Sequence, residues 1–180
     1  MPEIGTSARP KRGSVLDQLR NDTRGVELVE LVLVLPVLLT VVFGLLEFGS
    51  VFDKQHVVSG LSREAANIAS RGASLDSVVQ ITLANGGTVG VGPAGAVIAS
   101  QIDIISGIPQ VTDQRIGGSL TVLSKVGVLG AQATPFVGNG LSNGKTYFVV
   151  EVFLPYQPFT PLRGLIAPVI PDTLYDRSIF

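Results

Sequence analysis

Over residues 31–46 every position except Pro36, Thr40 and Gly44 is strongly apolar, and none is charged. Val26, Leu28 and Val29 precede this run, and Phe48, Val51 and Phe52 follow it. The stretch is long enough to cross about 30 Å of hydrocarbon as a helix, and it predicts a transmembrane segment over roughly 28–50. Beyond it the helical period persists in amphipathic form. Val51, Val58, Leu61, Ala65 and Ile68 fall near one stripe, while Asp53, His56, Arg63, Asn67 and Ser70 mostly face elsewhere. Gly72 is a natural stop. The pattern therefore predicts one long helix over 26–72, its first half apolar all round and its second half packed on a domain.

The remainder changes character. Residues 75–83 suit a short helix, and 85–95 read as a Gly-rich loop. Residues 94–108 fit the helical and the strand period equally over so short a length. Residues 119–129 and 146–156 read as strands, the second rich in Val, Phe and Tyr. Asn139-Gly140 and Asn143-Gly144 supply turn residues between them, which predicts a hairpin or meander. Residues 158–171 are Pro-rich and should run over the surface, and 174–180 should dock as a final turn or edge strand. The expected class is α+β: a long N-terminal α-helix packed by its outer half on a small domain, 73–180, with an antiparallel β-sheet.

Charge sets the orientation. Residues 1–25 carry Arg9, Lys11, Arg12, Arg20 and Arg24 against Glu3, Asp17 and Asp22, without an apolar period. After the apolar run comes only Lys54 before Arg63. The basic side should stay in the cytoplasm, giving a single-pass inner-membrane protein with 73–180 extracytoplasmic. A cleaved secretory signal would have a shorter apolar core and a small-residue site after it, whereas this run continues into Glu47, Phe48 and Phe52. A net charge of −1 with a pI near 5.8 gives no basic stripe for nucleic acid. The chain has no cysteine and one histidine, His56, so thiolate sites are excluded and few parts exist for a metal site or a catalytic triad. No enzymatic activity, cofactor or metal is expected.

Gly25-Val-Glu-Leu-Val-Glu30, then Leu33-Val-Leu-Pro36, Phe43-Gly-Leu-Leu-Glu-Phe-Gly49 and Ser62-Arg-Glu-Ala-Ala66 before Gly72 carry a resemblance. This stretch resembles the TadE-like pseudopilins of tight-adherence pili, within the wider type IV pilin group, with a weaker echo over 147–161. The resemblance implies that residues 1–25 are a prepilin leader and that a membrane-embedded prepilin peptidase cuts between Gly25 and Val26. It makes Glu30 the fifth residue of the mature chain, where the family places a glutamate. Leu31 departs from the aromatic residue that related pilins often carry next. A mature chain of 155 residues (180 less the 25 of the leader) is much longer than the short major pilins, which favours a minor subunit or assembly factor. Other pilin subunits and the membrane are the implied partners.

Glu30 has a physical rationale beside the resemblance. A carboxylate in an apolar helix costs about 2.5–3.5 kcal/mol at the bilayer centre and less near an interface. Cleavage after Gly25 creates a cationic amine on Val26 at a similar depth, and Glu30 of one subunit could neutralise the amine of its neighbour. The competing explanation makes Glu27 and Glu30 ordinary acids at a helix N-terminus, but it accounts for neither Gly25 nor the basic leader. Two readings stand for Glu47: a carboxylate reaching water at the outer interface, or an assembly contact. Two also stand for Pro36, which should kink or locally melt the helix: flexibility during extraction from the membrane, or a tolerated intramembrane kink.

Other motifs fail on context. Gly90-Val-Gly-Pro-Ala-Gly95 fits G-x-G-x-x-G but follows helical sequence rather than a strand. Residues 138–146 end in Gly-Lys-Thr but lead into a strand, not the helix a phosphate loop needs. His56 with Asp53, and Asp172 with Asp176 and Arg177, read as solvated surface charges. Two functional classes remain: a structural subunit of a pilus-like fibre, and a monomeric, single-span extracytoplasmic binding or adhesion module.

Overall fold

A computed structural model describes residues 24–134, 143–166 and 168–180; the leader before residue 24 and the Asn139-Gly140 turn lie outside them. The chain divides into two compact units at Val42/Phe43. Among the described residues the first unit is the opening part of helix α1 (Arg24–Ser70). The helix is long and apolar enough, by length and composition, to cross a membrane. Helical structure runs unbroken through Pro36, so the turn is not melted there. The Thr40 hydroxyl donates to the Pro36 carbonyl at 2.8 Å, satisfying a polar group that lipid could not.

The second unit holds the rest of α1 and the α+β domain. The predicted stripe is the packed one: Val58, Leu61 and Ala65 are buried together with Ala66 and Ala69, in one cluster with Val97, Ala99, Val150 and Val152 of the sheet. Each such Val or Leu contributes about 1.5–3 kcal/mol when fully removed from water. α1 stops where a left-handed residue is required. Gly72 has φ +93°, its N–H donates to Ala69 C=O at 3.0 Å, and Ala73 N–H reaches back to Ile68 C=O at 3.4 Å. This is the crossed pair of bonds of a glycine-terminated helix.

Helix α2 (Leu75–Asn85) follows, with the Ser74 side chain accepting from Ser77 N–H at 3.3 Å as its N-cap. It crosses β2 over Gly117, where a Cβ would lie 2.5 Å from Val79 Cγ1. The Gly-rich stretch is not an open loop. It forms a 3₁₀ turn (Gly86–Val89) and one helical turn, α3 (Val91–Ala94), that delivers the chain into β1.

The sheet has the order β2-β1-β3-β4, all neighbours antiparallel: β1 (Ala96–Ile105), β2 (Ile108–Gly118), β3 (Thr146–Pro155) and β4 (Thr173–Ile179). Between β3 and β4 lies one further helical turn, α4 (Arg163–Ile166). Residues 96–105, ambiguous in sequence, are a central strand buried on both faces, which is why they show no clean alternation. The 146–156 strand and the C-terminal edge strand are where the sequence places them. The strand expected over 119–129 is not formed, and the hairpin it implied is replaced by pairing of β3 with β1 and β4.

Candidate functional site

The residues singled out by sequence fall into two groups on α1. The first lies in the opening turns. Gly25, Val26 and Glu30 are all exposed, as is every residue over 25–42. Gly25 has no positive φ, and a Cβ added there would meet nothing within 4 Å. The fold therefore makes no demand for glycine at this position. Glu27, Glu30, Leu31 and Val34 follow the i, i+3, i+4, i+7 spacing and share one face around an open depression of about 300 Å³. Glu30 thus presents a carboxylate within an apolar surface, one turn from the Gly25-Val26 bond. Pro36 lies further along the same exposed helix.

The second group forms around Glu47, and here the structure departs from the first of the two sequence readings, a carboxylate reaching water. Glu47 does not reach water: its relative exposure is 0%. The Tyr156 hydroxyl donates to Oε1, Phe159 N–H donates to the same oxygen at 3.3 Å, and Thr160 N–H donates to Oε2 at 3.1 Å. A buried carboxylate is tolerable when its lone pairs are met in this way. Two of the donors are backbone groups freed by the irregular, Pro-rich chain after β3, which has no ladder to take them. Burial and the Glu47 hydrogen bond push the Tyr156 phenol above its ordinary value, so it remains a donor. Lys54 Nζ lies 4.9 Å from the Tyr156 ring centroid, a cation–π contact about two turns beyond Glu47.

Sequence reasoning missed Tyr156, Phe159, Thr160 and Lys54 as members of this group. The available signal was the Tyr-Gln-Pro-Phe-Thr-Pro stretch closing β3, in which an aromatic hydroxyl and unpaired N–H groups are bound to occur together. A third anchor was also unseen. Ser62, fully buried on α1, donates to Asp176 Oδ2 at 2.5 Å and sits 3.0 Å from the Ser178 hydroxyl, while Gln55 Nε2 donates to Tyr175 C=O at 3.1 Å. Asp176 is therefore engaged by the helix rather than free for a cation. His56 stays exposed beside Phe52, Gln55, Ser59 and Arg63.

Residues 25–67 match the family described as TadE-like protein. No curated protein and no solved structure matches the chain. The matched segment opens at Gly25 and includes Glu30, Pro36, Glu47 and Ser62. It thus takes in both the uncovered turns of α1 and the polar groups through which α1 holds its domain.

Proposed function

We propose, from the TadE-like segment at 25–67, that this chain is a membrane-anchored, pilin-like structural protein. In this reading it is a minor subunit or assembly factor of a tight-adherence, type IV-like pilus, cut by a prepilin peptidase and acting without catalysis or cofactor. The observation that carries the reading is the uncovered apolar helix over 25–42 with Glu30 set in it. An apolar surface of this size needs lipid or neighbouring helices to cover it. The membrane serves before assembly, and the α1 helices of other subunits serve within a fibre. After cleavage at Gly25, the Val26 amine of one subunit and Glu30 of the next form the charge pair that sets register between them.

The anchoring half of the proposal is tested by topology. Reporter fusions at Gly72 and at Phe180 should both show extracytoplasmic activity, because the basic residues precede α1. Cytoplasmic activity at either site would contradict a single span with the N-terminus inside.

The processing half is tested at the cleavage bond. Since the fold does not require glycine at 25, a requirement for it must come from an enzyme whose backbone approaches closely. Gly25→Val should leave folding and membrane insertion intact yet accumulate full-length precursor, while the parent chain should give an intact mass beginning at Val26. A parent chain that still begins at Met1 in cells with active peptidase would remove the processing claim.

A further inference from the structure

We propose that the segment joining β3 to β4 is a second membrane contact, in which Phe159 enters the outer interfacial layer of the bilayer while Lys54 and Arg163 meet lipid phosphates beside it. The inference rests on the anchoring reading of α1 and adds to it a face of the domain itself.

Three observations converge on this segment. The first is its level along the helix. The apolar run ends at residue 46, and the next residue, Glu47, holds Phe159 N–H at 3.3 Å and Thr160 N–H at 3.1 Å. The loop backbone is therefore fixed within one hydrogen bond of the end of the apolar run, which the anchoring reading places near the outer end of the span.

The second is its apolar character. Tyr156, Thr160 and Ile170 of the same segment are buried, so the fold can cover side chains here, yet Phe159 is 65% exposed and Val169 69%. On α1 itself Phe48 and Phe52 are also exposed. Three exposed phenylalanines at the end of a span supply the apolar side chains that interfacial segments bury at the headgroup–acyl boundary.

The third is charge. Lys54 stands over the Tyr156 ring, and Arg163 is exposed in α4, whose first N–H bonds back to Thr160 C=O at 3.2 Å. The carboxylates facing the loop are Glu47, already occupied by three donors, and Asp172, which lines the same cavity of about 220 Å³ as Arg163. Glu47 is held inside the domain by uncharged donors and Asp172 shares its cavity with Arg163, so the two cations are balanced overall; what they offer lipid is reach, since long basic side chains meet headgroups while their stems lie on apolar surface. Continuity with the end of the span selects lipid, rather than a protein, as the occupant.

The chain has no cysteine, so single nitroxide labels can be placed without background. Full-length protein carrying Phe159→Cys, Val169→Cys, Leu123→Cys or Leu38→Cys is reconstituted into vesicles of phosphatidylethanolamine and phosphatidylglycerol. Accessibility to oxygen and to a water-soluble nickel chelate is then read by power saturation. Labels at 159 and 169 should show an oxygen-to-nickel ratio several-fold above that at 123, an apolar site 80% exposed but outside the segment. Introducing Lys54→Gln with Arg163→Gln should lower the ratio at 159. A lipid-like signal at 38 with water-like signals at 159 and 169 would overturn this inference and leave the anchor standing; a water-like signal at 38 as well would overturn both. Dipolar broadening at 159 between labelled copies would assign the surface to a second subunit and likewise overturn it.

Discussion

A Glu30→Gln chain is expected to be processed and membrane-bound but largely missing from fibres. The change keeps side-chain length and removes the charge, so insertion should be unaffected or slightly improved, since a neutral amide is less costly in lipid than a carboxylate. Assembly differs because the Val26 amine of the neighbouring subunit is left buried without its counter-charge. Breaking a buried pair costs about 3–5 kcal/mol, reduced where water reaches the site. That corresponds to a loss on the order of 10²- to 10³-fold in the subunit–subunit equilibrium. In this chain Glu30 lies exposed on a face it shares with Glu27, Leu31 and Val34, where a neighbouring subunit can reach it. The measurement compares membrane and sheared-fibre fractions, with cross-linking to other pilins. Parent-level recovery of the variant in both fractions would make Glu30 only a helix-terminal acid. Together with a retained leader, that result would select the monomeric binding module.

What could be read in the sequence followed from periodic signals that tertiary context reinforces. The buried stripe of α1 was visible because Val58, Leu61 and Ala65 repeat at helical spacing, and its end because Gly72 alone tolerates the left-handed turn there. β3 was visible because seven of its ten residues are apolar or aromatic, with β-branched Val prominent.

The failures have the opposite cause. β2 carries an unbroken polar run over 112–115 and only Pro109 and Val111 are buried, so its strand character comes from pairing with β1 rather than from any pattern of its own. Residues 119–129 are rich in Val and Leu yet form no strand, because several of their backbone groups are met by side chains or by isolated backbone bonds instead of a ladder. Lys125 N–H donates to Glu151 at 2.9 Å, and the Ser124 hydroxyl accepts from Val126 N–H at 3.1 Å while donating to the same buried carboxylate. Glu151 also takes the Tyr175 hydroxyl at 2.9 Å, from a strand 24 residues away. No local window contains such a site. The same holds for Glu47, whose partners lie 109 to 113 residues further along the chain.

Glu47 is therefore expected to act first on the stability of the Phe43–Phe180 unit. Glu47→Ala strips the acceptor from Tyr156, Phe159 and Thr160 at once. A donor left buried without a partner costs about 1–3 kcal/mol, and water entering the vacated space recovers part of it. A net loss of about 3 kcal/mol is the expected result, enough to lower the melting temperature of the detergent-solubilised protein by on the order of 10 °C. Glu47→Gln should lose less. Its amide keeps one acceptor oxygen for a backbone N–H, and the Tyr156 hydroxyl can rotate to accept from the new NH₂, so one backbone donor is left unmet instead of all three donors. The graded order, parent above Gln above Ala, is the signature of an acceptor role. Limited proteolysis within 156–171 should follow the same order, since Glu47 ties that segment to α1. If both variants melt with the parent yet fail to enter fibres, Glu47 contributes nothing to the fold and is an assembly contact, the second of the two roles its position allowed.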